Sequence, residues 1–412
     1  VGGFDAFVVK YSADGELIWF KTIGGTGTDV GLQIEADTNG KIYVSIFSNS
    51  SPLKVADSSL SSSVSGILRF DSSGTFERVL TTGMSVYDMK FYKGSLYFRT
   101  FANTLFKSNL DGGTIWSKPI SGSFAGNNIV LTPPETSLEI TPHGNIIFTS
   151  ASTGNYTYDG VTVTNSSGQA VIASLIDTNS NLIRNYAWGM NEGSSLRCRS
   201  AIVDSNHNVY LAANFPSSYT KAFGSSNILH LQSGSAFHAL LKFDSLAAPV
   251  WAFNVSCANS SNNFFDLSLD KNGNVAMLGM YTDITTLGSV SFPTNSFNGN
   301  IFIATINPAG TLLTGMGFGT NTTTDRANDL ELLTDGSFLL AGMAGTGNLP
   351  VSFGCISSVS PGFILMNYSY DAPPLPEVSF TALREQRNVF FTSNVTNATS
   401  LVWDFGDGTT ST

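Results

Sequence analysis

The sequence predicts an all-β protein: a β-propeller of seven blades, with six as the alternative, followed by a partial β-sandwich. Three observations carry that expectation. Paired runs of alternating apolar and polar residues, each pair joined by a short polar turn, recur from the first residues to about residue 370. No window shows sustained apolar spacing at i, i+3 and i+4 with helix caps. A Pro-rich break, "DAPPLPEV", then separates the repeats from a tail with its own turn signal, "DFGDG".

The repeats contain two kinds of hairpin. The first kind comprises "DAFVVKYSADGELIWFKTI" (5–23) and its counterparts at 66–80, 104–120, 169–188, 236–255 and 300–318. The second comprises "LQIEADTNGKIYVSIF" (32–47) and its counterparts at 87–101, 137–150, 200–213, 266–279 and 329–342. The turns suit both, because the Gly of an Asn-Gly or Asp-Gly pair takes up positive φ without strain. Units recur about every 62–67 residues, with one short unit of about 38. Two hairpins make a four-stranded sheet that cannot bury both faces alone, and radial stacking of such sheets gives a propeller. A string of sandwiches fits less well, since Greek-key connections would not repeat so regularly.

If the second kind supplies inner strands and the hairpin after it outer ones, the chain opens on an outer hairpin with no inner partner. Its repeats close at "PGFILMNYSY" (361–370) with a third strand that lacks a fourth. Strands ahead of Val1 would supply both and give seven blades, whereas a six-bladed ring leaves a strand over. The expected division is a propeller over 1–370, a stiff linker over 371–377, and the truncated start of a second domain over 378–412.

Trp19, Trp116 and Trp251 share one phase of the outer hairpin and read as packing residues. In a propeller the turns within hairpins lie on one face, and the long linkers 48–65, 150–168, 214–235, 281–299 and 344–361 lie on the other. A short linker near 99–103 leaves a notch there. Long loops on a rigid scaffold are where binding usually resides. Yet "YTYDGVTVT", "KAFGSSNILHL", "TTLGSVSF" and "VSFGCISS" repeat one pattern inside these linkers, which favours an extra strand pair at the blade rim over ligand contact.

Composition narrows the partners. Hydrophobic residues make up 42% of the chain with 30 Phe, which excludes disorder although only 12% of residues are charged. A net charge of −10 argues against nucleic acid or anionic membrane as partner, and no apolar run reaches the ~18 residues of a spanning helix. No basic-then-apolar leader follows Val1, so a secretion signal would lie upstream or have been removed. Cys198, Cys257 and Cys355 are too few and scattered for a disulfide framework or a zinc site. A Cys198–Cys257 bridge and buried free thiols both remain open.

Candidate chemistry gathers on the inner strands. Aligned on their turns, they place Gln33, Tyr87, Ser137, Ser200, Asp266 and Asp329 in one column, with Glu35, Met89, Glu139, Ile202, Ser268 and Glu331 two residues on. Period-two alternation turns these columns toward the ring axis. Five carboxylates, Glu35, Glu139, Asp266, Asp329 and Glu331, are therefore expected to approach an axial channel. There they could line a water-filled passage, hold a cation, or act as an acid–nucleophile pair. The Asp-rich turns "DTNG" and "DKNG" lack the ligand spacing of a calcium loop and read as turn formers. Neither the four His nor any Gly-rich loop sits in a metal, nucleophile or phosphate-binding arrangement. No catalytic residue, metal or cofactor is expected, and the protein is expected not to be an enzyme.

The units typified by "FDAFVVKYSADGELIWFKTIGGTGTDVGLQIEADTNGKIYVSIFS" resemble the SBBP-type propeller repeats of secreted bacterial proteins, in diverged form over residues 1–370. The tail at 376–412, with "VSFTA", "VFFTSN" and above all "WDFGDGTTS", resembles the first half of a PKD domain, an immunoglobulin-like sandwich. Together they resemble Bacteroidota surface proteins exported by the type IX secretion system, although no sorting domain is visible. The resemblance implies a secreted or cell-surface, non-catalytic adhesin, with an extracellular glycan or protein as ligand on the long-loop face and the secretion machinery as a transient partner. Two alternatives stay open: a polysaccharide-degrading enzyme using the axial carboxylates, and an inert scaffold or secretion cargo.

Overall fold

The computed structural model describes residues 2–122 apart from 14, 137–189 apart from 169, 197–215, 220–229, 237–257, 263–281, 285–292 apart from 289, 300–318, 326–333 and 337–344. Beyond residue 344 it describes strands only, and side-chain surroundings as far as residue 342. Residues 369–376, which hold the expected linker 371–377 except Glu377, lie outside the described part, as do Cys355, His230 and the Asp335–Gly336 turn, while Glu377 begins a strand.

The chain is an all-β propeller. An opening hairpin, β1 (Ala6–Tyr11) and β2 (Leu17–Gly24), precedes six sheets that we call blades 1 to 6, with strands a to d counted from the axis outward. Blade 1 runs Asp29–Ala36, Ile42–Ser48, Gly66–Phe70 and Phe76–Thr82, and blade 2 Val86–Tyr92, Ser95–Thr100, Thr104–Asn109 and Thr114–Pro119. Blades 3, 4 and 5 start at Leu138, Arg197 and Asn263 with the same order, and blade 6 has, among the described residues, the three strands Arg326–Leu332, Phe338–Ala344 and Gly362–Tyr368. Each inner hairpin is therefore joined by the following outer hairpin, as the repeat pattern predicts. Two further hairpins follow, Glu377–Glu385 with Asn388–Thr396 and Trp403–Asp404 with Thr410–Ser411.

The turns explain why these strands reverse where they do. Asp37 Oδ1 accepts from the backbone N–H of Asn39 (2.8 Å) and Lys41 (2.9 Å). The same pair of bonds forms at Asp71, Asp177, Asp204, Asp244 and Asp270, and with Asn109 and Asn307 in place of Asp. A short side chain that satisfies its own turn's donors is the physical reason Asp and Asn punctuate the sequence.

The buried clusters coincide with the contacts between neighbouring blades. Ala6, Val8 and Ile23 of the opening hairpin pack on Val44, Ile46 and Leu68 of blade 1, and Tyr43 and Ile67 of blade 1 pack on Met89 and Phe98 of blade 2. The pattern repeats from blade 2 to 3, 3 to 4 and 4 to 5. Polar staples follow the same path. Lys10 Nζ and Trp19 Nε1 both donate to the Ser72 carbonyl in the c–d turn of the next blade, each at 3.2 Å. Lys107 and Trp116 do the same to Thr178 at 3.3 and 3.1 Å, and Lys242 and Trp251 to Pro308 at 2.7 and 3.1 Å. Arg69 reaches Leu110 and Arg184 reaches Leu246 in the same manner. The tryptophans are thus packing residues that also tie one blade to the next.

Each long linker holds a short hairpin between strands b and c: Leu53–Val55 with Ser58–Leu60, Tyr156–Tyr158 with Val161–Val163, Thr220–Phe223 with Ser226–Leu229, Thr285–Leu287 with Val290–Phe292, and Val351–Phe353 with Ile356–Ser358. The first extends β2, the fourth extends strand d of blade 4, and the second meets the end of blade 2 through a Ser121–Thr157 bridge. The first and fourth thus cover the outer edge of the preceding blade, where unpaired N–H and C=O groups would otherwise stand open, whereas the Ser225 N–H of the third donates to the Val250 carbonyl in strand d of its own blade. Blade 2 joins strands b and c through residues 101–103 alone, which leaves the expected notch.

Candidate functional site

The a strands carry the axial side chains. Glu35 lies on blade 1, Glu139 on blade 3, Asp266 on blade 5, and Asp329 and Glu331 on blade 6. The structure draws these carboxylates around a residue the sequence did not single out, Lys90 of blade 2. Its Nζ lies 3.1 Å from Glu139 Oε1 and 3.7 Å from Glu35 Oε1.

The expected columns need correction at blade 2. Alignment on the turn places Tyr87 and Met89 toward the axis, but both are buried in the interior, and Asp88 and Lys90 take the axial positions. Cross-strand pairs show the shift: Glu35 pairs with Tyr43 and Gln33 with Ser45, while in blade 2 Lys90 pairs with Tyr97 and Asp88 with Arg99. The cause is the turn itself. Blade 1 reverses over residues 37–41, blade 2 over Lys93 and Gly94 alone, so counting back from the turn slips the register by one and moves every side chain to the other face.

Most axial groups connect one blade to another. Glu35 Oε2 accepts from the Phe91 N–H of blade 2 (3.2 Å), and Ser137 Oγ of blade 3 from the Ala201 N–H of blade 4 (3.0 Å). Asp266 Oδ2 accepts from the Leu330 N–H of blade 6 (3.1 Å), and its Oδ1 from the Ser200 hydroxyl of blade 4 (3.1 Å) and its neighbour's Leu267 N–H (2.8 Å). Asp329 Oδ1 accepts from the Leu330 N–H at 3.1 Å. Close by, the buried Arg99 donates to the Thr149 carbonyl (2.5 Å) and to Asn103 Oδ1 (3.2 Å), and its guanidinium lies 5.6 Å from the Tyr87 ring.

Electrostatics follow from crowding charge in a partly buried place, with Asp329 and Glu331 exposed at its edge. Burial pushes the Glu35 carboxyl up from 4.5 to about 7, against the opposing pull of Lys90 and the Phe91 N–H. Burial likewise raises Glu139 and Glu331. Asp88 stands well above the carboxylate range through burial and the charge of Glu139, and Asp266 through burial and the charge of Asp329. Burial works against the Lys90 charge, but Glu139, Glu35 and Asp88 outweigh it and hold the ammonium on.

A cavity of about 250 Å³ opens beside this cluster, lined by Lys90, Glu139, Thr141, Asp266, Ser268 and Glu331 among others. Thr141 and Pro142 belong to the a–b turn of blade 3, so the cavity lies toward the turn-bearing face. It is smaller than the roughly 300–1,000 Å³ of pockets that enclose a drug-sized ligand, and it suits one polar group or a few waters. On the same face His143 and His207, in turns of blades 3 and 4, stack with ring centroids 3.7 Å apart, and His143 Nε2 sits 3.0 Å from the Ser205 carbonyl. Cys198 is a free, buried thiol, and burial pushes its pKa up.

Lys90, Asp88 and Arg99 were the residues sequence reasoning missed. Their signal was present as three charges in the otherwise apolar strands "VYDMKFY" and "SLYFRT".

No family model matches the chain, and no curated protein matches it. Among solved structures, BamB from Moraxella catarrhalis is similar at 12% identity and a TM-score of 0.40, over 81% of this chain and 85% of that one. The Dos1 propeller is similar at 12% and 0.40, over 90% and 80%. The Cps50 (Swd1) β-propeller domain of Myceliophteria thermophila is similar at 8% and 0.43, over 83% and 87%. At such scores the likeness adds nothing to what the sheet topology establishes.

Proposed function

We propose that this chain is a non-catalytic binding module, secreted or displayed at the cell surface, whose rigid ring presents a recognition surface to an extracellular protein or glycan. One observation carries the non-catalytic reading: Glu35 and Asp266 accept backbone N–H groups of other blades, and Lys90 pairs with Glu35 and Glu139. Carboxylates engaged in this way hold the ring together and are poorly placed to serve as an acid–nucleophile pair. The small axial cavity supports the same reading, since a sugar chain needs a longer cleft.

Recognition is assigned to the loop face, where the rim hairpins at 53–60 and 285–292 are fixed to the neighbouring blade and give the face a firm edge. The resemblance of residues 1–370 to SBBP repeats and of 378–412 to a PKD spacer supports export and display, with a type IX route and a blade count of seven as the finer form of this proposal. The test is a Glu139→Gln, Glu331→Gln double variant screened beside the parent on a glycan array, on immobilised extracellular protein and for polysaccharide turnover. Binding by both proteins with turnover by neither supports the module. Turnover by the parent that the double variant lacks overturns it in favour of the enzyme.

A further inference from the structure

We infer that the axial cavity is a binding site for one primary alkylammonium group, entered from the turn-bearing face and separate from any recognition on the loop face. Its lining is divided in character. Ile140 and Pro142 of blade 3, Ile202 of blade 4 and Leu269 of blade 5 give it an apolar wall. Glu139, Asp266 and Glu331 set three carboxyls in that lining against a single ammonium, that of Lys90. Lys90 Nζ is committed to Glu139 and Glu35, at 3.1 and 3.7 Å. Asp266 and Glu331, on blades 5 and 6, form no ion pair among the described residues.

A second observation stands apart from the acidic lining. Asp88 is 4% exposed. It shares the axial face of its strand with Lys90, two residues on, so its carboxyl enters the same axial space one row further from the turns. Among the described residues no hydrogen bond reaches that carboxyl. A buried acid without a donor is costly to keep, and a guest that brings N–H donors together with positive charge supplies what it lacks.

The chemistry of the guest follows from the shape and the charge. Among the described residues no three His, Cys, Asp or Glu side chains converge as ligands of a metal ion would. An apolar wall leading to carboxyls instead suits a hydrocarbon stem with an ammonium head, and about 250 Å³ admits a chain of lysine length. The head has three N–H donors, and the lining offers carboxyls from three blades. Burial raises Glu139, Glu331 and Asp266, and a second cation beside them would hold them ionised. A free small amine and a lysine side chain of a partner protein carry the same group.

Saturation-transfer NMR on the 412-residue chain tests the site with three probes: n-butylammonium, n-butanol as the uncharged stem, and the peptide acetyl-Gly-Lys-Gly-amide. n-Butylammonium is expected to bind saturably with a Kd in the millimolar range, and n-butanol about tenfold or more weakly. Glu331→Gln, at an exposed residue outside the bonds that join the blades, leaves the fold intact and is expected to weaken n-butylammonium about tenfold. Binding of the peptide as well as the amine supports the site with a lysine side chain as guest, and binding of the amine alone supports it with a free amine. No saturable transfer to n-butylammonium, n-butanol bound as tightly, or unchanged binding by the Glu331→Gln protein overturns it.

Discussion

Glu35 offers the sharpest energetic test of the axial cluster. Its carboxyl is held at about 7 in the fold against 4.5 in a free chain, so the folded protein binds this proton more tightly than the unfolded one. Stability from this group is complete below pH 4.5 and is lost as pH rises through about 7. The shift corresponds to about 3 kcal/mol between those limits. Replacing Glu35 with Gln keeps an acceptor for the Phe91 N–H and removes the titration, while Lys90 retains Glu139, Asp88 and Asp266 around it. Urea unfolding of parent and variant, followed by tryptophan fluorescence from pH 4 to 8 and extrapolated linearly, should show the variant gaining about 3 kcal/mol on the parent as pH rises. A stability difference that is flat across this range would refute the burial argument for Glu35, because subtracting the two curves cancels groups that do not couple to it.

Three more outcomes are expected. Lys90→Met leaves Glu139 and Glu35 without their cation and should cost about 3–5 kcal/mol at pH 7.5, and less at pH 5, in the same unfolding assay. Asp204→Ala removes acceptors for the Asn206 and Asn208 N–H groups and strands the buried Tyr210 hydroxyl; a loss of about 2 kcal/mol is expected in thermal melts. Cys198, buried and with its thiol pKa raised, should resist a thiol reagent in the native state and react in urea, as counted by the released chromophore.

Much of this architecture was legible in the chain because the repeat states it several times over. The hairpins, their turns, the rim strand pairs and the packing role of the tryptophans each follow from local chemistry: alternation with period two, an Asp or Asn that bonds its own turn, and an aromatic at a fixed phase. The strand positions of the five carboxylates could be read for the same reason, since Glu35, Glu139 and Glu331 recur at one distance from a repeated turn and Asp266 and Asp329 two residues before it. The alignment failed only where the turn changed length, and there it hid Lys90, the residue that gives the other charges their meaning.

What the linear order of residues determines is therefore whatever depends on neighbours a few positions apart, namely which segments become strands, where they reverse and which face each side chain takes. The tertiary structure alone decides what meets across blades. Lys90 and Glu139 are 49 positions apart in sequence and 3.1 Å apart in space, and Trp251 finds its acceptor on Pro308 in the following blade. Whether a carboxylate is free, paired or protonated depends on the dielectric and the partners that closure of the sheets imposes, and neither has a signature in the spacing of residues along one strand.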